Sequence, residues 1–106
     1  SSRAAATSTN KSTPEQNAKG RAASYLRSQA FSYSGLVDQL EYEGFTAAQA
    51  KYGVDAQNAN WNEQAVLKAK SYLRHSSFSR SGLVDQLKYE GFTTAQAEYG
   101  VSNAYD

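Results

Sequence analysis

Apolar residues recur at helical spacing along most of this chain, and nowhere do they alternate with polar ones as in a half-buried strand. Ala18, Ala22, Tyr25 and Leu26 form the first stripe. It follows Thr13-Pro14-Glu15-Gln16, which offers a cap, a proline suited to the first helical position and the return residue of a capping box. This predicts a helix over 14–29. Phe31 and Leu36 bracket Ser32 as a hydrophobic staple brackets its cap, and Leu36, Val37 and Leu40 share one face. Gly44 supplies a left-handed stop and Phe45 can fold back onto Leu40, so the second helix is expected over 33–43. Thr46-Ala47-Ala48-Gln49 is another capping box. It opens a short helix, expected over 47–52, with Gly53 as its stop and Val54 covering its end.

The pattern then repeats. Residues 24–54, SYLRSQAFSYSGLVDQLEYEGFTAAQAKYGV, return as 71–101, SYLRHSSFSRSGLVDQLKYEGFTTAQAEYGV. Tyr25 and Tyr72, Gly35 and Gly82, and Gly53 and Gly100 keep one offset of 47 residues. A period of this size marks a supersecondary unit used twice. Asn60 caps the second first-helix, whose stripe is Trp61, Ala65, Ala69, Tyr72 and Leu73. The later helices of this copy are expected over 80–90 and 94–99. The predicted fold class is all-α, two tandem three-helix repeats with helix-turn-helix-like units. The expected organisation is a disordered polar tail or spacer over 1–13, repeats over 14–54 and 61–101, a linker over 55–60 and a polar tail over 102–106. The expected core is Phe31, Leu36, Val37, Leu40 and Phe45, with Phe78, Leu83, Val84, Leu87 and Phe92 in the second copy. Val66 and Leu67 replace Lys19 and Gly20 of the first copy, so they and Trp61 are expected to pack against the first repeat, near Tyr52 and Val54.

Composition narrows the chemistry. The 106 residues include no cysteine and carry a formal net charge of +1. Thiol chemistry is absent, and a strong phosphate binder is not expected. No apolar run reaches a membrane-spanning length, and neither a signal peptide nor an initiator methionine is present. The expectation is a processed or trimmed soluble portion.

Catalysis has little to build on. The single histidine, His75, stands in the last turn of a helix where the first copy has Ser28, and it lacks a nucleophile and an orienting group. No catalytic, metal or cofactor-binding residue is expected. Sequence-reading of DNA is also disfavoured. The third helices offer one lysine, Lys51, against Glu98 in the second copy, and Gln49 and Gln96 are needed in capping boxes. Basic residues gather in the first helix of each repeat and acidic ones in the second and third, which phosphate would repel.

Protein binding has positive support. On the second helix, Asp38 and Tyr42 oppose the apolar face and are flanked by Gly35 and Gln39, with Glu41 and Glu43 close by. The second copy presents Gly82, Asp85, Gln86, Tyr89 and Glu90 in the same way. Tyrosine beside a carboxylate on an outward face suits a polar protein interface, and Gly35 permits a close approach, whether by a partner or by the chain itself.

The twice-used pattern YLR…FSxSGLVDQLxYEGFTxAQAxYGV resembles the repeat of the Ltp family of host-cell-surface-exposed lipoproteins, encoded by temperate phages of Gram-positive bacteria and found in bacterial genomes. The resemblance covers Ala18–Val54 and Ala65–Val101. It implies a superinfection-exclusion protein, lipid-anchored on the outer face of the cytoplasmic membrane, that blocks DNA injection by an incoming phage. The partner it implies is the phage tail tape measure protein, with no nucleic acid bound. The family's lipid-bearing cysteine and signal peptide do not occur here, and residues 1–13 resemble the remainder of the spacer that follows them. The alternative is a general cell-surface or regulatory protein-binding adaptor, with DNA-binding helix-turn-helix less favoured.

Overall fold

The structure is a computed structural model that describes residues 13–105. The expected polar spacer lies outside the described residues except for Thr13, which is the cap of the first helix. The described residues form six helices and no strand: α1 (Pro14–Ser28), α2 (Tyr33–Tyr42), α3 (Ala47–Asp55), α4 (Trp61–His75), α5 (Arg80–Tyr89) and α6 (Thr94–Ala104). The fold is all-α, built as two tandem three-helix repeats.

The caps read from the sequence are formed. The Thr13, Thr46 and Thr93 hydroxyls accept from the backbone N–H three residues on, and the Gln16, Gln49 and Gln96 side chains accept from the cap backbone in return. Ser32, Asn60 and Ser79 cap α2, α4 and α5. Gly44 and Gly91 both have φ of +106°, a conformation that favours glycine. Beyond them the Phe45 and Phe92 N–H groups donate back to the Leu40 and Leu87 carbonyls at 3.1 and 3.2 Å. That bond closes the helix in a Schellman stop.

Two expectations fail at the third helices. Gly53 and Gly100 do not stop them. The helices run through both glycines to Asp55 and Ala104, so the polar tail expected from residue 102 is largely helical. The reason is tertiary. α3 crosses α1 so closely that a Cβ on Gly53 would lie 2.6 Å from the Ala18 carbonyl carbon. At the α4–α6 crossing, a Cβ on Gly100 would lie 2.7 Å from Ala65. Glycine serves here for backbone approach, which compensates for its poor helix propensity.

Each repeat has its own core. Ala18, Ala22, Leu36, Val37, Leu40, Ala50 and Val54 are buried in the first, with Tyr25, Leu26, Phe31 and Phe45 packed against them. Ala65, Ala69, Leu83, Leu87, Phe92, Ala97 and Val101 are buried in the second, flanked by Tyr72, Leu73, Phe78 and Val84. All the extensive helix pairings lie within a repeat, α1 with α3 and α4 with α6 foremost.

The repeats meet end to end. The carbonyls that close α5 face the N-terminus of α2. The Ser32 hydroxyl donates to the Glu90 carbonyl at 2.6 Å and the Ser34 hydroxyl to the Gly91 carbonyl at 3.0 Å. The Phe31 N–H donates to the Gln64 side chain at 3.0 Å. A helix C-terminus facing a helix N-terminus is a favourable alignment of dipoles. Trp61 packs on the first core and edge-on to Tyr33, with ring centroids 5.5 Å apart. It therefore reaches the first repeat as expected, and Val66 is buried. Leu67, expected to pack there too, is 45 % exposed.

Candidate functional site

The residues singled out on the second helix of each repeat divide into two groups. Asp38, Glu41 and Tyr42 on α2, and Asp85 and Tyr89 on α5, project outward. Tyr42 and Tyr89 are each 87 % exposed, the largest exposures among the described large apolar side chains. Leu36, Val37 and Leu40 hold the opposite face of α2 in the core, so the outward direction of Asp38 and Tyr42 follows from helical periodicity. The two repeats present the same tyrosine–carboxylate pair because they share fold and sequence there. They differ beside it, where Glu41 of the first repeat becomes Lys88 of the second.

The other group is engaged inside the chain. The Gln39 amide donates to the Tyr25 hydroxyl at 3.2 Å and to the Glu43 carboxylate at 3.1 Å. Glu43 turns toward α1, where Arg21 meets it in a two-pronged pair at 2.9 and 3.0 Å and the Tyr25 hydroxyl donates to it. The Gln86 amide donates to the Tyr72 hydroxyl, and Glu90 sits 3.5 Å from Lys68. Gly35 lies in the joint, where a Cβ would come within 3.1 Å of the Glu90 carbonyl, so the close approach it permits is by the chain's own second repeat. A Cβ on Gly82 would meet only the Ser79 hydroxyl, at 2.9 Å.

The Glu43 network has an electrostatic signature. Hydrogen bonds from Arg21, then Tyr25, then Gln39 lower the carboxyl to about 2, and the Arg21 guanidinium is correspondingly raised. Unfolded glutamate titrates near 4.3, so the folded value is the lower one. The stability that this carboxylate contributes is therefore complete above its unfolded value and lost as pH falls toward about 2. Glu43→Gln should reduce the urea midpoint at pH 7, and the gap to the parent chain should close between about pH 4 and pH 2. Arg21 is half exposed, so the gap should also shrink with added salt. Acid limbs that run parallel in the two proteins would show that the network contributes nothing.

Other candidate chemistry is accounted for by the fold. The Gln49 and Gln96 side chains, which a reading helix would need for base edges, accept from the Thr46 and Thr93 N–H groups. His75 ends α4, and its Nδ1–H donates to the Ser71 carbonyl at 2.8 Å. Among the described residues no cluster of His, Cys, Asp and Glu is arranged to hold a metal, and no helix is long and apolar enough to cross a membrane.

What sequence reasoning missed is the polar part of the joint. Ser32, Ser34, Glu90 and Gly91 have identical counterparts in the other copy, so nothing in their type marks them as interfacial. Burial does so: Ser32 is 3 % exposed, whereas its counterpart Ser79 is exposed.

Each repeat matches the same family model, described as host cell surface-exposed lipoprotein, over residues 14–56 and 60–103. No curated protein and no solved structure matches the chain.

Proposed function

The chain belongs to the host cell surface-exposed lipoprotein family, and on that premise we propose that it is the extracellular part of a phage-encoded superinfection-exclusion lipoprotein. It acts by binding a tail component of the incoming phage, the tape measure protein, so that DNA is not injected. Catalysis plays no part in this reading. The full-length protein is held on the outer face of the cytoplasmic membrane of a Gram-positive host by an N-terminal lipid anchor.

The observation that carries the proposal is the tyrosine–carboxylate face, displayed twice. Tyr42 and Tyr89 leave 87 % of their surface in water on helices whose other face is core, and each has an exposed carboxylate four residues before it. Exposed aromatics next to charge are the material of binding hot spots. The face is acidic, so the complementary partner is a basic polypeptide, whose encounter is accelerated by attraction and slowed by salt. The first repeat carries Glu41 where the second has Lys88, and should dominate. A general cell-surface adaptor using the same face is the second reading, favoured by the same exposed tyrosines.

The test displays the chain on a membrane tether and challenges the cells with phage. Adsorption should stay normal while DNA delivery fails. Asp38→Lys and Tyr42→Ala should each weaken exclusion and partner binding, with a smaller loss for Asp85→Lys. Truncated hot-spot residues typically lose about 2 kcal/mol of binding, or roughly thirtyfold. Circular dichroism checks that helix content is retained. Unchanged infection by every related phage would overturn the proposal. Exclusion that survives both charge reversals would move the interface elsewhere.

A further inference from the structure

Between the end of α1 and one face of α4 lies an open groove of about 350 Å³. It spans the two repeats. Leu26 and Leu67 contribute apolar lining and Arg27, Lys68, Lys70 and Arg74 basic lining, with no carboxylate among the lining residues. Lys68 is held by Glu90 at 3.5 Å. Arg27, Lys70 and Arg74 have no ion pair among the described residues. Lys70 and Arg74 stand four residues apart on one helix, where like charges destabilise it.

The repeat fold does not require this arrangement. At the positions of Leu67 and Lys70 the first copy has Gly20 and Ala23, and it forms an equivalent core without them. An exposed leucine and an unneutralised cation both present only in the second copy, and both facing the groove, fit a ligand that is apolar at its centre and anionic around it. The concave shape suits a side chain rather than a flat headgroup layer.

We propose that this groove docks an acidic peptide segment with an apolar anchor residue. The anchor settles on Leu26 and Leu67, and flanking carboxylates meet Arg27, Lys70 and Arg74. The site is separate from the acidic α2 face and selects the opposite charge. The two surfaces could therefore hold two segments of one partner, or two partners.

The probe is a fluorescein-labelled synthetic peptide with glutamates flanking a Leu-Phe pair, titrated into the full chain by fluorescence anisotropy. Controls replace the glutamates by lysine, or Leu-Phe by Ser-Ser. Leu67→Gly and Lys70→Ala install residue types the first repeat already tolerates, so folding should survive, as circular dichroism would verify. The glutamate probe should bind in low salt, both controls should fail, and each substitution should weaken binding by about tenfold. Amide shifts around Leu26 and Leu67 should follow the titration. Absence of binding in low salt, or binding that survives both substitutions, would overturn the proposal. So would equal, substitution-sensitive binding of phosphatidylglycerol vesicles or single-stranded oligonucleotide, which would make the groove a general polyanion site. Asp38 and Tyr42 are untouched throughout, so the outcome is independent of phage exclusion.

Discussion

Gly53→Ala is expected to destabilise the first repeat, although alanine is the better helix former. The added methyl would lie 2.6 Å from the Ala18 carbonyl carbon and 2.7 Å from its oxygen. These are backbone atoms of a neighbouring helix, so relief requires α1 to shift away from α3. Overpacking of this kind costs about 1–3 kcal/mol, and a backbone neighbour puts the cost at the upper end. Alanine returns about 1 kcal/mol of helix propensity, leaving a net loss of about 2 kcal/mol. For a domain of this size that is a fall in melting temperature of about 10 °C. Gly100→Ala should behave alike in the second repeat, where the methyl would lie 2.7 Å from Ala65. Gly20→Ala provides a control of opposite sign. It is also a helical glycine, but nothing lies within 4 Å of its Cβ position, so alanine should stabilise by about 0.5–1 kcal/mol. Equal stability of the parent chain and Gly53→Ala would show that the helix crossing is looser than described.

Leu40→Ala and Leu87→Ala should have effects at least as large. Both leucines are completely buried, at 0 % exposure. Removing their isopropyl groups leaves a cavity in the core. Such truncations cost about 2–5 kcal/mol, depending on how far the surroundings collapse. A repeat of this length has little stability in reserve, so either substitution should unfold the repeat that carries it near room temperature. Denaturation followed by circular dichroism reads the loss directly. Tyr42→Ala, at 87 % exposure on the opposite face of the same helix, should change stability by no more than about 0.5 kcal/mol. A small effect for Leu40→Ala, or a large one for Tyr42→Ala, would mean that the core face of α2 has been misassigned. The contrast also protects the functional test, since a loss of exclusion in Tyr42→Ala could not then be attributed to unfolding.

Much of the fold was legible in the sequence because its determinants are local. A cap needs only a hydroxyl and the N–H three residues on, and the sequence shows both at Thr13, Thr46 and Thr93. A Schellman stop needs a glycine and a following apolar residue, as at Gly44-Phe45 and Gly91-Phe92. The spacing of Leu36, Val37 and Leu40 fixes which side of α2 is core, and with it the outward direction of Asp38 and Tyr42. The duplication carried each of these readings to the second copy.

Tertiary structure decided the questions whose answer lies on another helix. Gly53 looks like Gly44 when only its neighbours in sequence are considered. One ends a helix at positive φ, and the other sits inside a helix against Ala18. Gln39 and Glu43 look as outward as Asp38, yet Tyr25 and Arg21 on α1 claim them. Ser32 and Ser79 occupy equivalent positions in the two copies, but only Ser32 meets the end of α5. Leu67 was expected to pack against the first repeat, and it stays 45 % exposed in an open groove that it lines together with Leu26. Caps and periodicity act over a few residues and are written in the chain at that range. Helix crossings, charge pairing and the joint between repeats join residues far apart in sequence, so their outcome is set by how the helices pack in three dimensions.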